Sequence, residues 1–99
     1  MTTLNRHSNT FKNDTSHDIL LVFKAPEIPD LEIPAGEEKS SDCGGTSIVK
    51  IQLQGQAYTG SAAIEKLHAY YRIKQKSEDQ LFVENLKGHE IGKFFKNQS

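Results

Sequence analysis

Ninety-nine residues, 35% of them hydrophobic and 25% charged, suffice for one domain with one core, and a net charge of −1 is no signature of disorder. Twelve Lys/Arg stand against 13 Asp/Glu, so the chain lacks the basic excess that phosphate binding requires and nucleic acid is not expected as a partner. The asymmetry between residues 1–60 (5 Lys/Arg, 8 Asp/Glu) and residues 61–99 (7 and 5) is mild. One cysteine, Cys43, excludes an intrachain disulfide, and no C-x-x-C zinc spacing occurs. The first 18 residues hold no apolar run of a secretory signal, and no stretch approaches the length of a membrane helix. The expected location is cytoplasmic, with signal-less export left open.

In chain order, residues 1–8 are polar and expected to be flexible. Residues 9–95 form the predicted single β-rich domain, and 96–99 a flexible C-terminus. Asn9-Thr10-Phe11-Lys12 reads as a short edge strand. Asn13 to His17 is a dense turn signal, because Asn, Asp and Ser side chains bond to their own backbone. Residues 18–24 alternate Ile19, Leu21 and Phe23 on one face with Leu20 and Val22 on the other, which predicts a central strand. Pro26 and Pro29 make 25–30 a non-helical connector. Leu31 and Ile33 suggest a short strand, Pro34 and Gly36 a turn, Glu37-Glu38-Lys39 a solvated patch, and 40–46 a loop.

Residues 47–53 alternate Val49, Ile51 and Leu53 against Lys50 and Gln52, with Ile48 out of phase, as in a half-exposed antiparallel strand. A turn at 54–56 follows. In residues 61–76, Ile64, Leu67, His68 and Tyr71 stand at helical spacing behind Ser61 as an N-cap. Yet Tyr70-Tyr71-Arg72-Ile73-Lys74 has strand composition. The longer helix, to about 75, is ranked ahead. Strands at 81–84 and 89–95 complete the domain, the last weakened by Gly92. The predicted fold is mainly β, a small antiparallel β-sandwich-like domain of five to seven strands with one helix around 61–75, the alternative being α+β.

Few residues invite chemistry. Asp42, Cys43, Gly44 and Gly45 form a candidate functional loop, with the thiol as nucleophile and the glycine amides as an oxyanion site. No family-specific cysteine-enzyme signature accompanies it, and an ordinary turn cysteine is the favoured explanation. His7, His17, His68 and His89 make no i, i+4 pair, so neither a metal site nor a cofactor is expected. The carboxylates around Glu37, Glu38 and Asp42 match no calcium loop. Tyr58, Tyr70, Tyr71, Phe94 and Phe95 are the candidate interaction surface, weighed against ordinary half-buried packing. Lys93 and Lys96 flanking the two phenylalanines suit a membrane surface, ranked behind a protein partner. No phosphate loop, dinucleotide fingerprint, G-x-S-x-G elbow or H-E-x-x-H occurs.

The order of Asn/Thr turn, apolar strand, Pro-Ala-Gly turn and Cys-Gly-Gly loop over residues 9–53 resembles small β-sandwich proteins such as the aegerolysins. The absence of tryptophan counts against any membrane-lytic role that the resemblance implies. The chain is expected not to be an enzyme but a protein–protein interaction or assembly module, with a protein partner or a homo-oligomer. A lipid-binding β-sandwich is the alternative, and a small cysteine hydrolase using Cys43 the third.

Overall fold

The computed structural model describes residues 8–66 and 69–97. They form nine strands: β1 (Ser8–Asn13), β2 (Ile19–Phe23), β3 (Leu31–Ile33), β4 (Glu38–Asp42), β5 (Ser47–Leu53), β6 (Gln56–Ala63), β7 (Tyr70–Ser77), β8 (Gln80–Asn85) and β9 (Glu90–Lys96). The order β3-β2-β5-β6-β9-β8-β7-β1-β4 makes one sheet that nearly closes into a barrel. Every neighbouring pair is antiparallel except β1 and β7, which are parallel. The chain is therefore mainly β, as its alternating patterns imply, in a single curved sheet. The flexible termini expected at 1–8 and 96–99 lie largely outside the described residues, although Ser8 and Lys96 already stand in strands.

The helix expected around 61–75, and with it the α+β alternative, is a correction. Ser61 is not an N-cap but part of β6, and Tyr70 to Lys74 lie in β7. Ala62 and Ala63 pair with Ile48 and Ser47 of β5, while β7 is flanked by β1 and β8. Two-sided ladder pairing outweighs a helix propensity of a few tenths of a kcal/mol per residue. Two of the four residues at helical spacing, Leu67 and His68, are outside the described residues. A second correction concerns Glu38 to Asp42, read as patch and loop, which form edge strand β4 against β1.

Inward faces follow the period of two. Ile19, Leu21 and Phe23 of β2 are buried while Leu20 and Val22 stay half-buried, so the doubly apolar run has one true core face. In β5 the out-of-phase Ile48 joins Ile51 and Leu53 in the core. A bulge makes this work: the β2 register slips between Val22 and Phe23, leaving Val49 as the extra residue of β5. Phe11 stacks on Tyr71 with ring centroids 5.5 Å apart and meets Phe23 at 6.1 Å.

Beyond the short Gly60–Tyr58 ladder of β6 with β9, the two backbones cross at close range. A Cβ on Gly60 would fall on the Lys93 carbonyl, and one on Gly92 would fall on Ser61 and Ala62. Gly92, which weakens the strand reading of 89–95, is what lets that strand pack.

Strand directions put the β1–β2, β3–β4, β5–β6 and β7–β8 turns at one end of the barrel and the other four connections at the opposite end. At the first end a latch joins β1 to the edge strand β3. Asn13 is fully buried. Its Nδ2 donates to the Ile33 and His17 carbonyls (both 2.8 Å), and its Oδ1 accepts from Thr15 N (2.9 Å) and Oγ1 (2.7 Å).

Asn13→Ala orphans these carbonyls and should lower unfolding free energy by about 2–4 kcal/mol in urea titrations. Gly60→Ala should cost about 1–3 kcal/mol by the same measurement, since backbone and not a flexible side chain is in the way.

Candidate docking site at one end of the barrel

Asn9 is the counterpart of Asn13 at the opposite end. It is also inward-facing and buried. Its Nδ2 donates to the Glu65 carbonyl (3.2 Å) and its Oδ1 accepts from Ala69 N (2.8 Å), so it ties down both described ends of the β6–β7 connection. Glu65 N donates to the Tyr71 hydroxyl (2.8 Å). Ile64 N reaches the Thr46 carbonyl and Gly45 N the Ile64 carbonyl, which joins this connection to the β4–β5 loop.

The β8–β9 turn stands opposite. Asn85 Oδ1 accepts from Lys87 N and His89 N (both 3.0 Å), Gly88 N donates to the Asn85 carbonyl, and Gly88 takes φ +84°. An Asx-type turn with glycine at the left-handed position is a stiff support. It carries Leu86, which is 65% exposed. Between turn and connection lies a cleft of about 410 Å³ whose apolar wall includes Ala63, Ala69, Tyr70, Leu86 and Ile91. Lys87 and His89 rim it on the turn side, and Glu65 on the other. Tyr70 is fixed from outside: its hydroxyl donates to Glu38 Oε1 (2.9 Å), and Arg72 Cζ lies 5.6 Å from its ring centre.

The five candidate aromatics separate. Tyr58, Tyr71 and Phe94 are core residues, a correction to their reading as an interaction surface. Tyr58 donates its hydroxyl to the Glu78 carbonyl (2.7 Å) at the far end of the barrel. Tyr70 is half-buried on the cleft wall, and Tyr71 backs the same cleft. Phe95 is 53% exposed on the outer face of β9, opposite Thr59 and Gln80 and away from the cleft. The lysines beside it are ion-paired, Lys93 with Glu90 (3.6 Å) and Lys96 with Asp79 (3.7 Å).

The Asp42-Cys43-Gly44-Gly45 segment lies at the cleft's end of the barrel, but its thiol points inward. Cys43 is fully buried. Burial pushes its pKa up, against the weaker pull of hydrogen bonds from Ser41 and Asn9 and with a small further rise from Asp42. A buried neutral thiol is the opposite of an activated nucleophile. Among the described residues no cluster of three His, Cys, Asp or Glu is placed to hold a metal.

Leu86 and Ile91 are functional candidates that the sequence did not single out. The available signal was an apolar residue inside a turn tetrad, Asn85-Leu86-Lys87-Gly88, where polar residues are the rule. Comparison with protein families, with curated proteins and with solved structures gave no match, so the likeness to aegerolysins has no counterpart there.

Raised pKa values at Cys43 and Tyr71, both led by burial, mean that the folded state holds the neutral forms. Their stabilising contribution is present below the unfolded thiol pKa of about 8.5 and is lost as pH rises through the higher folded values. Urea midpoints should be flat up to about pH 8 and decline above it. In the same series, a thiol probe at pH 8 should label the native protein at least ~100-fold more slowly than the unfolded chain.

Proposed function

We propose that this chain is a non-catalytic assembly module that pairs with a second copy of itself through the Leu86 end of the barrel. The observation that supports this reading is an exposed leucine, on a turn hydrogen-bonded through Asn85, at the wall of an apolar cleft. With a two-fold axis along the cleft, the turn wall of each copy faces the connection wall of the other, so each Leu86 covers the other copy's cleft. The same rotation brings Lys87 of one copy to Glu65 of the other, twice, so the rim charges match as well.

Burying two leucines yields roughly 3–6 kcal/mol before the cost of association is subtracted. That falls short of the ~8 kcal/mol net that a micromolar Kd requires, so the expected dimer is weak and concentration-dependent, with a Kd on the order of millimolar or above.

Light scattering after size exclusion over a concentration series tests this. The wild-type average mass should climb from monomer towards dimer. Leu86→Asp should stay monomeric, Lys87→Glu alone should weaken the dimer, and Lys87→Glu with Glu65→Lys should restore it. A wild-type protein that stays monomeric throughout, or a Leu86→Asp variant that dimerises equally well, sinks the proposal.

A further inference from the structure

β3 and β4 are consecutive strands joined by a turn at Pro34–Glu37, where Glu37 N donates to the Pro34 carbonyl, yet they do not pair with each other. β3 pairs with β2 and β4 with β1, which leaves an open seam. Asn13 shuts the seam at the turn by occupying the Ile33 carbonyl. At the other end it widens into a cleft of about 500 Å³, lined among others by Glu27, Ile28, Asp30, Leu31, Ser40 and Asp42.

The ladder shows which backbone groups face this gap. Asn13 N donates to the Glu37 carbonyl, so the odd-numbered residues of β1 direct their peptide groups at β4. By the antiparallel register, Lys39 and Ser41 are taken up by Phe11 and Asn9. The peptide groups of Glu38, Ser40 and Asp42 therefore point into the seam. Such a row of unpaired donors and acceptors, repeating every second residue, matches one kind of occupant, an extended backbone.

Charge selects among extended backbones. Residues 27–42 carry Glu27, Asp30, Glu32, Glu37, Glu38 and Asp42 against Lys39 alone. The ion pairs Arg72–Asp14, Lys74–Glu84, Lys93–Glu90 and Lys96–Asp79 engage none of the six carboxylates. A second copy does not fit this edge, because β4 laid antiparallel on itself sets Glu38 opposite Asp42 twice, and like charges opposite one another destabilise a ladder. Lys39, inward-facing in β4 yet exposed, repels flat apolar strands in the way that protects natural edges. Glu38, Ser40 and Asp42 share the outward face, since Glu38 meets Tyr70 and Ser40 Oγ lies 2.9 Å from Thr10 Oγ1. We propose that the free edge of β4 takes an extended segment of a partner protein with lysine or arginine at its outward positions, adding a tenth strand at the seam.

Fluorescence anisotropy with three labelled heptapeptides tests this: alternating lysine–valine, alternating glutamate–valine, and lysine–valine N-methylated at alternate residues. The lysine–valine peptide should bind at least about tenfold more tightly than the other two. Ser40→Pro removes a donor that faces the seam, not β1, and should cost a similar factor. The charge reversal Glu38→Lys with Asp42→Lys should switch preference to the glutamate–valine peptide, which keeps the test decisive if the proline variant fails to fold. Leu86→Asp should bind like the wild type, so loss of the dimer and loss of this site are read separately. No lysine–valine binding at millimolar peptide, equal binding of the N-methylated peptide, or no change of preference on charge reversal overturns the proposal.

Discussion

Asn13 brings two N–H donors and an acceptor oxygen with two lone pairs into a site with no exposed surface, and all four capacities are used. That matters because a barrel seam has a problem a flat sheet lacks. The ends of the sheet must meet, and each edge backbone group buried there needs a partner. Here the meeting is made by one side chain instead of a ladder. The amide reaches the Ile33 carbonyl of β3 from β1, beside the turn that leads into β4. Breaking this contact would leave β3 held by its ladder to β2, in which Ile33 and Leu31 stand opposite Ile19 and Leu21.

β1 is suited to the task because its inward face reads Asn9, Phe11, Asn13. The ring in the middle stacks on Tyr71 and packs against Phe23, so it joins the β7 and β2 sides of the barrel. The amides on either side seal the two ends. Buried amides are costly unless fully paired, and among the described residues no buried side-chain nitrogen or oxygen lacks a partner. The parallel pairing of β1 with β7 places Asn9 at the β6–β7 connection, and its antiparallel pairing with β4 places Asn13 at the β3–β4 turn.

How much of this the sequence revealed depended on how local each feature is. The strands over 18–24, 47–53 and 81–84 were legible because alternation is a property of five or six consecutive residues. β4 was not, since Glu38-Lys39-Ser40-Ser41-Asp42 has no apolar residue and owes its extension to β1, some thirty positions away in sequence. The helix reading failed for a similar reason. The spacing of Ile64 and Tyr71 imitates one helical face, although their burial comes from opposite sides of a strand-to-strand connection. Asn13 reads as a turn residue, and it does accept from Thr15 in an Asx turn and donate to His17, but its bond to the Ile33 carbonyl works across twenty residues. Of the candidate aromatics, Tyr70 lies half-buried on the cleft wall and Phe95 is exposed on β9. Tyr58, Tyr71 and Phe94 were drawn inward by an alternation that composition alone does not phase. Leu86 escaped notice because a lone leucine in a turn has no periodicity to mark it.

The two ends of the barrel are built differently, and this bears on where the molecule can meet others. At the Asn13 end, strands are joined by turns at 14–18, 34–37, 54–55 and 78–79, and the seam is latched. At the Asn9 end, connections run through 24–30, 43–46, 64–69 and 86–89, the turn carries Leu86, and the seam opens. Longer connections have to cover more of the barrel mouth, and a rigid barrel beneath them fixes their relative positions, an arrangement in which binding surfaces commonly arise. The apolar cleft and the acidic edge share that end but not their chemistry. One offers an apolar wall with charges of both signs at its rim, and the other offers backbone groups beside acidic side chains. The two proposed occupants would therefore use different groups at one end of the barrel, apolar side chains at the cleft and backbone at the β4 edge.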